Sequence, residues 1–282
     1  MTSFRAYIRA IWVGAAALLT IGAALISIPD IAVAQQADAP MEEENDRWYV
    51  RVTPFYWASN VSGALTLGHE EDRSIGGDWL VPVVKHELDS GWAGALAVGK
   101  GRFEFNMSAA STSVFDTGDF VRLSNPADTV EGDWVFDWKE IDGKISYEIS
   151  PASISPTVRM YAGLRWMHWI QDQDVDGEVS NFDEVWIDPL IGARTSFPLG
   201  SGFLASAHAD AAGFGLGSQL SWTVSGGFGY HVAGPLSLNA MYVYKQVSYD
   251  NGKEGDLRFE WEDGVAQGWF FGGTLQYPWG SQ

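Results

Sequence analysis

Ser206, His208 and Asp210 recur at every second position. These are the residue types of nucleophile, base and orienter in acyl transfer. On a β-strand all three share one face, but side chains two residues apart point in parallel and do not converge on one atom. The same triplet therefore also reads as a polar cluster in which Asp210 pairs with a neighbouring arginine. A second constellation starts at Asp172, with acids at Asp172, Asp174 and Asp176, a glycine at Gly177 and a further acid at Asp183. That is the spacing of a calcium loop, because a hard cation needs six or more oxygens from one compact turn. Its flanks read as strands and its last acid is Asp, where such loops use a bidentate Glu, so a solvated acidic loop remains the other reading. His69, His86, His168 and His231 are scattered along the chain. Gly213–Gly217 is glycine-rich but reads as a tight outer loop. Phosphate-loop, dinucleotide and metalloprotease motifs are absent from the sequence. With no cysteine, thiol catalysis, zinc fingers and disulfides are excluded. A formal charge of −19 over 282 residues argues against nucleic-acid partners.

The elements that must carry these residues are strands. Apolar and polar residues alternate with period two in stretch after stretch: Phe103, Phe105 and Met107 against Arg102, Glu104 and Asn106; Val158 to Trp166 against Thr157 to Arg165; Ile187 and Ile191 against Asp188, Gly192 and Arg194; Leu220 to Phe228 against Ser221 to Ser225. Ten strands are expected, near 47–58, 88–99, 102–112, 132–149, 156–167, 185–198, 203–212, 218–232, 236–249 and 265–279; pairing of Val61–Leu67 and Trp79–Lys85 into the wall would make twelve. Connections alternate between short Gly/Pro/Ser-rich turns and longer stretches near 59–86, 113–131, 168–184, 213–217 and 250–264. That rhythm predicts an all-β, closed, antiparallel up-and-down transmembrane barrel over 47–279. A soluble sandwich or lipocalin-like barrel is disfavoured, because such a sheet turns its polar face outward. Trp48, Trp57, Trp92, Trp166, Trp186, Trp269 and Trp279 fall near strand ends, as in an interfacial aromatic belt. In one strand Trp134, Phe136 and Trp138 are out of phase with Ile141, Ile145 and Tyr147. Either a β-bulge near 138–141 reconciles them or the upper aromatics face the lumen.

Residues 1–34 read as a signal peptide, with Arg5 and Arg9 before an apolar run from Ile11 to Ile28, then Pro29 and Ala32-Val33-Ala34. An uncleaved anchor is the alternative. Residues 35–46 are a polar, acidic lead-in. By strand parity the inward basic residues are Arg51, Arg102, Lys144, Arg159, Arg165, Arg194 and Lys245, and the inward acids are Asp89, Glu104, Asp142, Glu148, Asp188 and Asp210. His208 joins them on the inward face. Such near balance predicts a narrow lumen laced with ion pairs, since an unpaired charge there loses hydration without compensation.

Several segments resemble proteobacterial outer-membrane β-barrel proteins of the small porin-like kind. They are Trp48 with Pro54-Phe55-Tyr56-Trp57, the turn Lys100-Gly101-Arg102-Phe103, Gly163-Leu164-Arg165-Trp166, Trp186 through Arg194, and the glycine-rich stretch from Asp210 to Ser218. Tyr242-Val243-Tyr244 departs from the family's tyrosine–arginine–tyrosine, and the chain does not end on an aromatic residue. The resemblance implies an outer-membrane location and delivery by the barrel-assembly machinery, with outer-membrane lipid and lipopolysaccharide as surroundings. The functional expectation is a structural or small porin-like protein without catalysis and without a cofactor, save Ca²⁺ at the acidic 172–184 loop. The alternative is a barrel enzyme acting on lipid or peptide.

Overall fold

Period-two sequences become long strands here. The computed structural model describes residues 47–67, 79–81, 86–122, 125–150, 156–175 and 178–279; the expected signal peptide and lead-in lie outside them. The strands are β1 (Trp48–Leu67), β2 (Trp79–Val81), β3 (His86–Lys100), β4 (Phe103–Arg122), β5 (Asn125–Glu148), β6 (Thr157–Val175), β7 (Glu178–Gly200), β8 (Phe203–Ala212), β9 (Leu220–Ala233), β10 (Leu236–Asp250) and β11 (Phe259–Trp279). Each pairs antiparallel with its neighbours, and β11 returns to β1 from Trp48↔Trp279 to Leu67↔Phe259, so the sheet closes. Closure removes both edges of the sheet.

The barrel has ten staves, as the sequence predicts, and the twelve-strand variant is not formed. Val61–Leu67 is the upper part of β1. Trp79–Val81 pairs with both β1 and β4 in line with β3, so β2 and β3 make one interrupted stave. Strand termini Trp48 and Trp279 share one end of the barrel with the tight turns at 101–102, 201–202 and 234–235. We call this the turn end and the opposite one the loop end. Toward the loop end the strands run further than expected. The β4–β5 ladder continues to Val121↔Thr129 and the β6–β7 ladder to Val175↔Glu178.

Of the two readings of β5, a bulge near 138–141 or upper aromatics in the lumen, the second holds. β5 pairs with β4 and β6 without a shift through this region, so Phe136 and Trp138 share the inward phase of Asp142 and both are buried. A bulge lies in β11, where Glu262 and Asp263 together oppose the single Ser248 of β10. Asp263 there has φ +50°. The extra residue lets Phe259 and Trp261 below the bulge in sequence, and Ala266 above it, all face inward.

Outward side chains form an apolar band. Leu96, Phe105, Met107, Ile145, Leu164, Ile187, Ile191, Phe228 and Leu238 are exposed. Aromatic side chains bound the band. Trp48, Phe103, Tyr147, Phe203, Tyr230 and Tyr277 lie toward the turn end, with Phe103 against Tyr147 and Phe203 against Tyr230. Tyr56, Trp92, Tyr242 and Trp269 lie further along the staves. Trp48 to Tyr56 and Trp269 to Tyr277 are each eight residues apart. That is ~26 Å along a strand, and about 20 Å of height at a barrel tilt near 40°.

Candidate functional site

Every second residue of each stave points into the lumen, and from the turn end upward the lumen divides into three layers. The first centres on Glu104 of β4, whose side chain is 1% exposed. Its carboxylate accepts hydrogen bonds from Arg51 Nη2 at 2.8 Å, Arg194 Nη2 at 2.5 Å and the Tyr49 hydroxyl at 2.5 Å, with Arg159 Nη1 at 3.5 Å. Arg159 also donates to Glu148 at 2.7 Å. Beside them Asn239 donates to Thr274 Oγ1 at 2.8 Å, which is 2.9 Å from Thr53 Oγ1. Three guanidiniums thus face two carboxylates.

The second layer centres on Arg165 of β6, a guanidinium with 1% exposure. It donates to Asp142 through Nε at 2.9 Å and Nη2 at 3.2 Å, to both oxygens of Asp210 at 3.2 and 3.3 Å, and to the Ser221 hydroxyl at 3.3 Å. Glu140 lies 3.5 Å from its Nε and pairs with Lys245, while Lys144 is 2.8 Å from Asp142. Arg165, Lys144 and Lys245 balance Glu140, Asp142 and Asp210. Burying charge is costly, and this saturation of partners is what makes it tolerable.

His208 joins the second layer through Asp210. Its Nε2 is 2.9 Å from Asp210 Oδ2 and its Nδ1 is 2.8 Å from Ser225 Oγ. An ionised Asp210 can only accept, so Nε2 carries the proton in the neutral ring and Nδ1 accepts from the Ser225 hydroxyl. The serine engaged is therefore Ser225, the cross-strand partner of His208 on β9, and not Ser206.

The third layer, toward the loop end, is apolar. Trp57, Phe136, Trp138, Met167, Trp169, Trp186, Tyr249, Phe259 and Trp261 are buried in one cluster. Trp186 stacks on Tyr249 at 3.9 Å, and Trp261 meets Trp138 at 5.5 Å and Trp169 at 4.4 Å between ring centroids. Lys245 Nζ sits 5.7 Å from the Trp138 ring and joins this layer to the charged one. The plug is held by packing: Trp169 donates to Gln171 at 3.2 Å, whereas the indole N–H groups of Trp57, Trp138 and Trp186 have no protein acceptor.

Strand parity placed Arg51, Glu104, Arg159, Arg165, Arg194, His208, Asp210 and Lys245 in the lumen, and there they lie. Two members differ. Arg102 is exposed in the β3–β4 turn, where the turn interrupts the alternation. Asp188 faces inward and is fully buried, but its carboxylate accepts from Ser218 N at 2.6 Å and Ser218 Oγ at 2.8 Å. It anchors the glycine-rich connection between β8 and β9. Trp57 and Trp186, expected in the outer belt, belong to the plug. The site also holds Glu140, Tyr49 and Tyr161, whose hydroxyl donates to Asp210 Oδ2 at 3.3 Å, beyond the expected set; continuous parity along β5 includes Glu140.

The acidic 172–184 segment is not a compact loop over its described residues. It forms the arms of a β-hairpin, with Asp172 opposite Asn181 and Asp174 opposite Val179. Asp172 and Asp174 are exposed, and Asp183 bonds His168 Nε2 at 2.8 Å. Asp176 lies outside the described residues. A strand spreads alternate acids along a line, where a calcium loop would curl them around one point.

No protein-family model and no curated protein matches the sequence. Among solved structures, the chain is similar to the outer membrane protease OmpT from Escherichia coli, with a TM-score of 0.55 at 10% identity over 88% of this chain and 100% of that one. Matches of lower TM-score include Ail, the attachment invasion locus protein of Yersinia pestis (0.37, 11% identity, 82% and 99% covered), and the translocator domain of the autotransporter NalP from Neisseria meningitidis (0.38, 11%, 80% and 88%). The likeness to OmpT is one of fold, the closed ten-stave antiparallel barrel.

Proposed function

We propose that the chain is an integral outer-membrane barrel with a lumen closed to through-flow, structural or small porin-like in role and not a catalyst. The observation that carries this reading is the sequence of layers inside an apolar-banded wall: charges that pair with one another along the staves, then an aromatic plug. Lipid is the solvent that suits a band of exposed Leu, Ile, Phe and Met between aromatic rims. The ion pairs are spread over seven staves, β1, β4 to β8 and β10, and do not converge on one reacting atom. The expected N-terminal signal peptide agrees with the same location. The test is fractionation with N-terminal sequencing and planar-bilayer recording of the refolded protein. Mature protein starting at Gln35, found in the outer membrane, with little or no conductance, is the expected result. A soluble periplasmic product, or a large open channel, overturns it.

One observation favours a second reading, a barrel enzyme acting on lipid or peptide: the Ser225–His208–Asp210 chain of hydrogen bonds polarises a serine hydroxyl. Under the non-catalytic reading a fluorophosphonate probe leaves Ser225 unlabelled at neutral pH. Labelling that is lost in Ser225→Ala and His208→Gln would establish the enzyme instead.

A further inference from the structure

We infer that the turn-end layer of the lumen is a binding vestibule for a small soluble oxyanion, a phosphate or a dicarboxylate, held by Arg51 and Arg194. The inference goes beyond the proposed function and rests on its closed lumen, which makes this layer a dead end entered from one side.

Charge is the first argument. Among the described lumen pairs, the second layer is neutral and the first holds Arg51, Arg159 and Arg194 against Glu104 and Glu148. A positive excess thus sits in one layer of a chain whose total charge is −19. A low-dielectric wall around that net positive charge focuses its field into the lumen.

Geometry is the second. Arg51 and Arg194 come from β1 and β7, on different sides of the lumen, and each binds a different oxygen of the same carboxylate, Glu104 Oε2 and Oε1. Two guanidiniums already converge on one oxyanion. Each spends only Nη2 on it, so the rest of each planar fork remains to donate. Both side chains are 30% exposed, whereas Glu104 is 1% exposed. Their unspent edges therefore face the vestibule while the internal carboxylate lies behind them. Arg159 differs, since its second Nη is committed to Glu148. A guest oxyanion bridging the exposed edges of Arg51 and Arg194 would cancel the excess and relieve repulsion between the guanidiniums. Glu104 acts here as a positioning residue, holding both forks in place before a guest arrives.

Calorimetry of the refolded mature protein in a zwitterionic detergent tests this, with inorganic phosphate and succinate titrated at constant ionic strength against chloride. Saturable one-site binding of at least one of them is expected. Arg51→Gln and Arg194→Gln should each weaken it roughly tenfold, the loss of one charge-assisted pair. Glu148→Gln, which removes an acid without touching Glu104, should tighten it. Lys253→Gln at the loop end should leave it unchanged, and the unheated gel band verifies folding of each variant. No saturable heat with either anion, equal heat with chloride, or binding indifferent to both arginine changes would overturn the inference. Large conductance with phosphate binding intact would overturn only the closed-lumen reading. A silent barrel that binds neither anion would overturn only this one.

Discussion

Arg165 shows how a single buried charge is made tolerable. Its guanidinium satisfies Asp142 and Asp210 and lies beside Glu140, so its removal leaves three carboxylates to two lysines. Breaking a buried pair on one side costs about 3–5 kcal/mol. Arg165→Met should lower unfolding stability in urea by that amount, and adding Asp210→Asn should restore part of it, because one of the stranded charges is then gone. Asp188 sets a smaller scale. It is buried and, among the described residues, bonds no arginine; instead it accepts from both donors of Ser218. Asp188→Ala orphans those donors at about 1–3 kcal/mol. Its signature should be faster hydrogen exchange confined to residues 213–219, with the rest of the barrel protected as before. Spread protection loss across β6 and β7 would instead place Asp188 in the ion-pair network.

At the scale of the strand, parity is the information the sequence carries, and it fails where parity is interrupted. Arg159, Arg165 and Arg194 were legible because outward Val158, Leu164 and Ile191 mark the opposite face. Arg102 was misplaced because a turn has no faces. Glu140 follows from parity only when β5 runs without a bulge, as it does, with its aromatics continuing inward. The extra length of β6 and β7 was illegible for another reason. Gln171 and Asp172 lie on opposite faces and both are polar, so beyond the apolar band no alternation reports a ladder that backbone hydrogen bonds nevertheless continue. The bulge in β11 belongs to this scale as well. Asp263 occupies a left-handed conformation that glycine adopts without steric cost. Asp263→Gly should be neutral or stabilising. Deleting the residue should turn Phe259 and Trp261 to the outer face, read as a red shift of tryptophan emission and a lower melting temperature; an unchanged spectrum would mean that the plug does not depend on the bulge.

The whole molecule joins an apolar outside, a charged lower lumen and an aromatic upper lumen, and in the proposed closed barrel the last of these is what a solute would have to pass. Barrels of about eight strands are filled by their own side chains, and wide aqueous pores need about sixteen. Ten staves lie close to the first case, and bulky residues complete the filling: Phe136, Phe259 and Val247 have no exposed surface, and Trp261 has 2%. The plug is kept in place by contact between rings, since three of its indole N–H groups find no protein acceptor. Opening it therefore breaks few hydrogen bonds, but forfeits the burial of large apolar side chains, about 3–5 kcal/mol for each Trp→Ala. Trp261 touches both Trp138 and Trp169, so its truncation removes the shared neighbour of both rings. Trp261→Ala should therefore lose stability in that range, and Trp138→Ala/Trp261→Ala should turn a silent or faintly conducting barrel into one with discrete openings in planar bilayers. If the double variant folds, as judged by its unheated gel mobility, and stays silent, the constriction lies in the Arg165 layer below. Arg165→Met in the same background would then be the change that admits ions, because it removes a side chain that bridges Asp142 of β5 and Asp210 of β8 across the lumen.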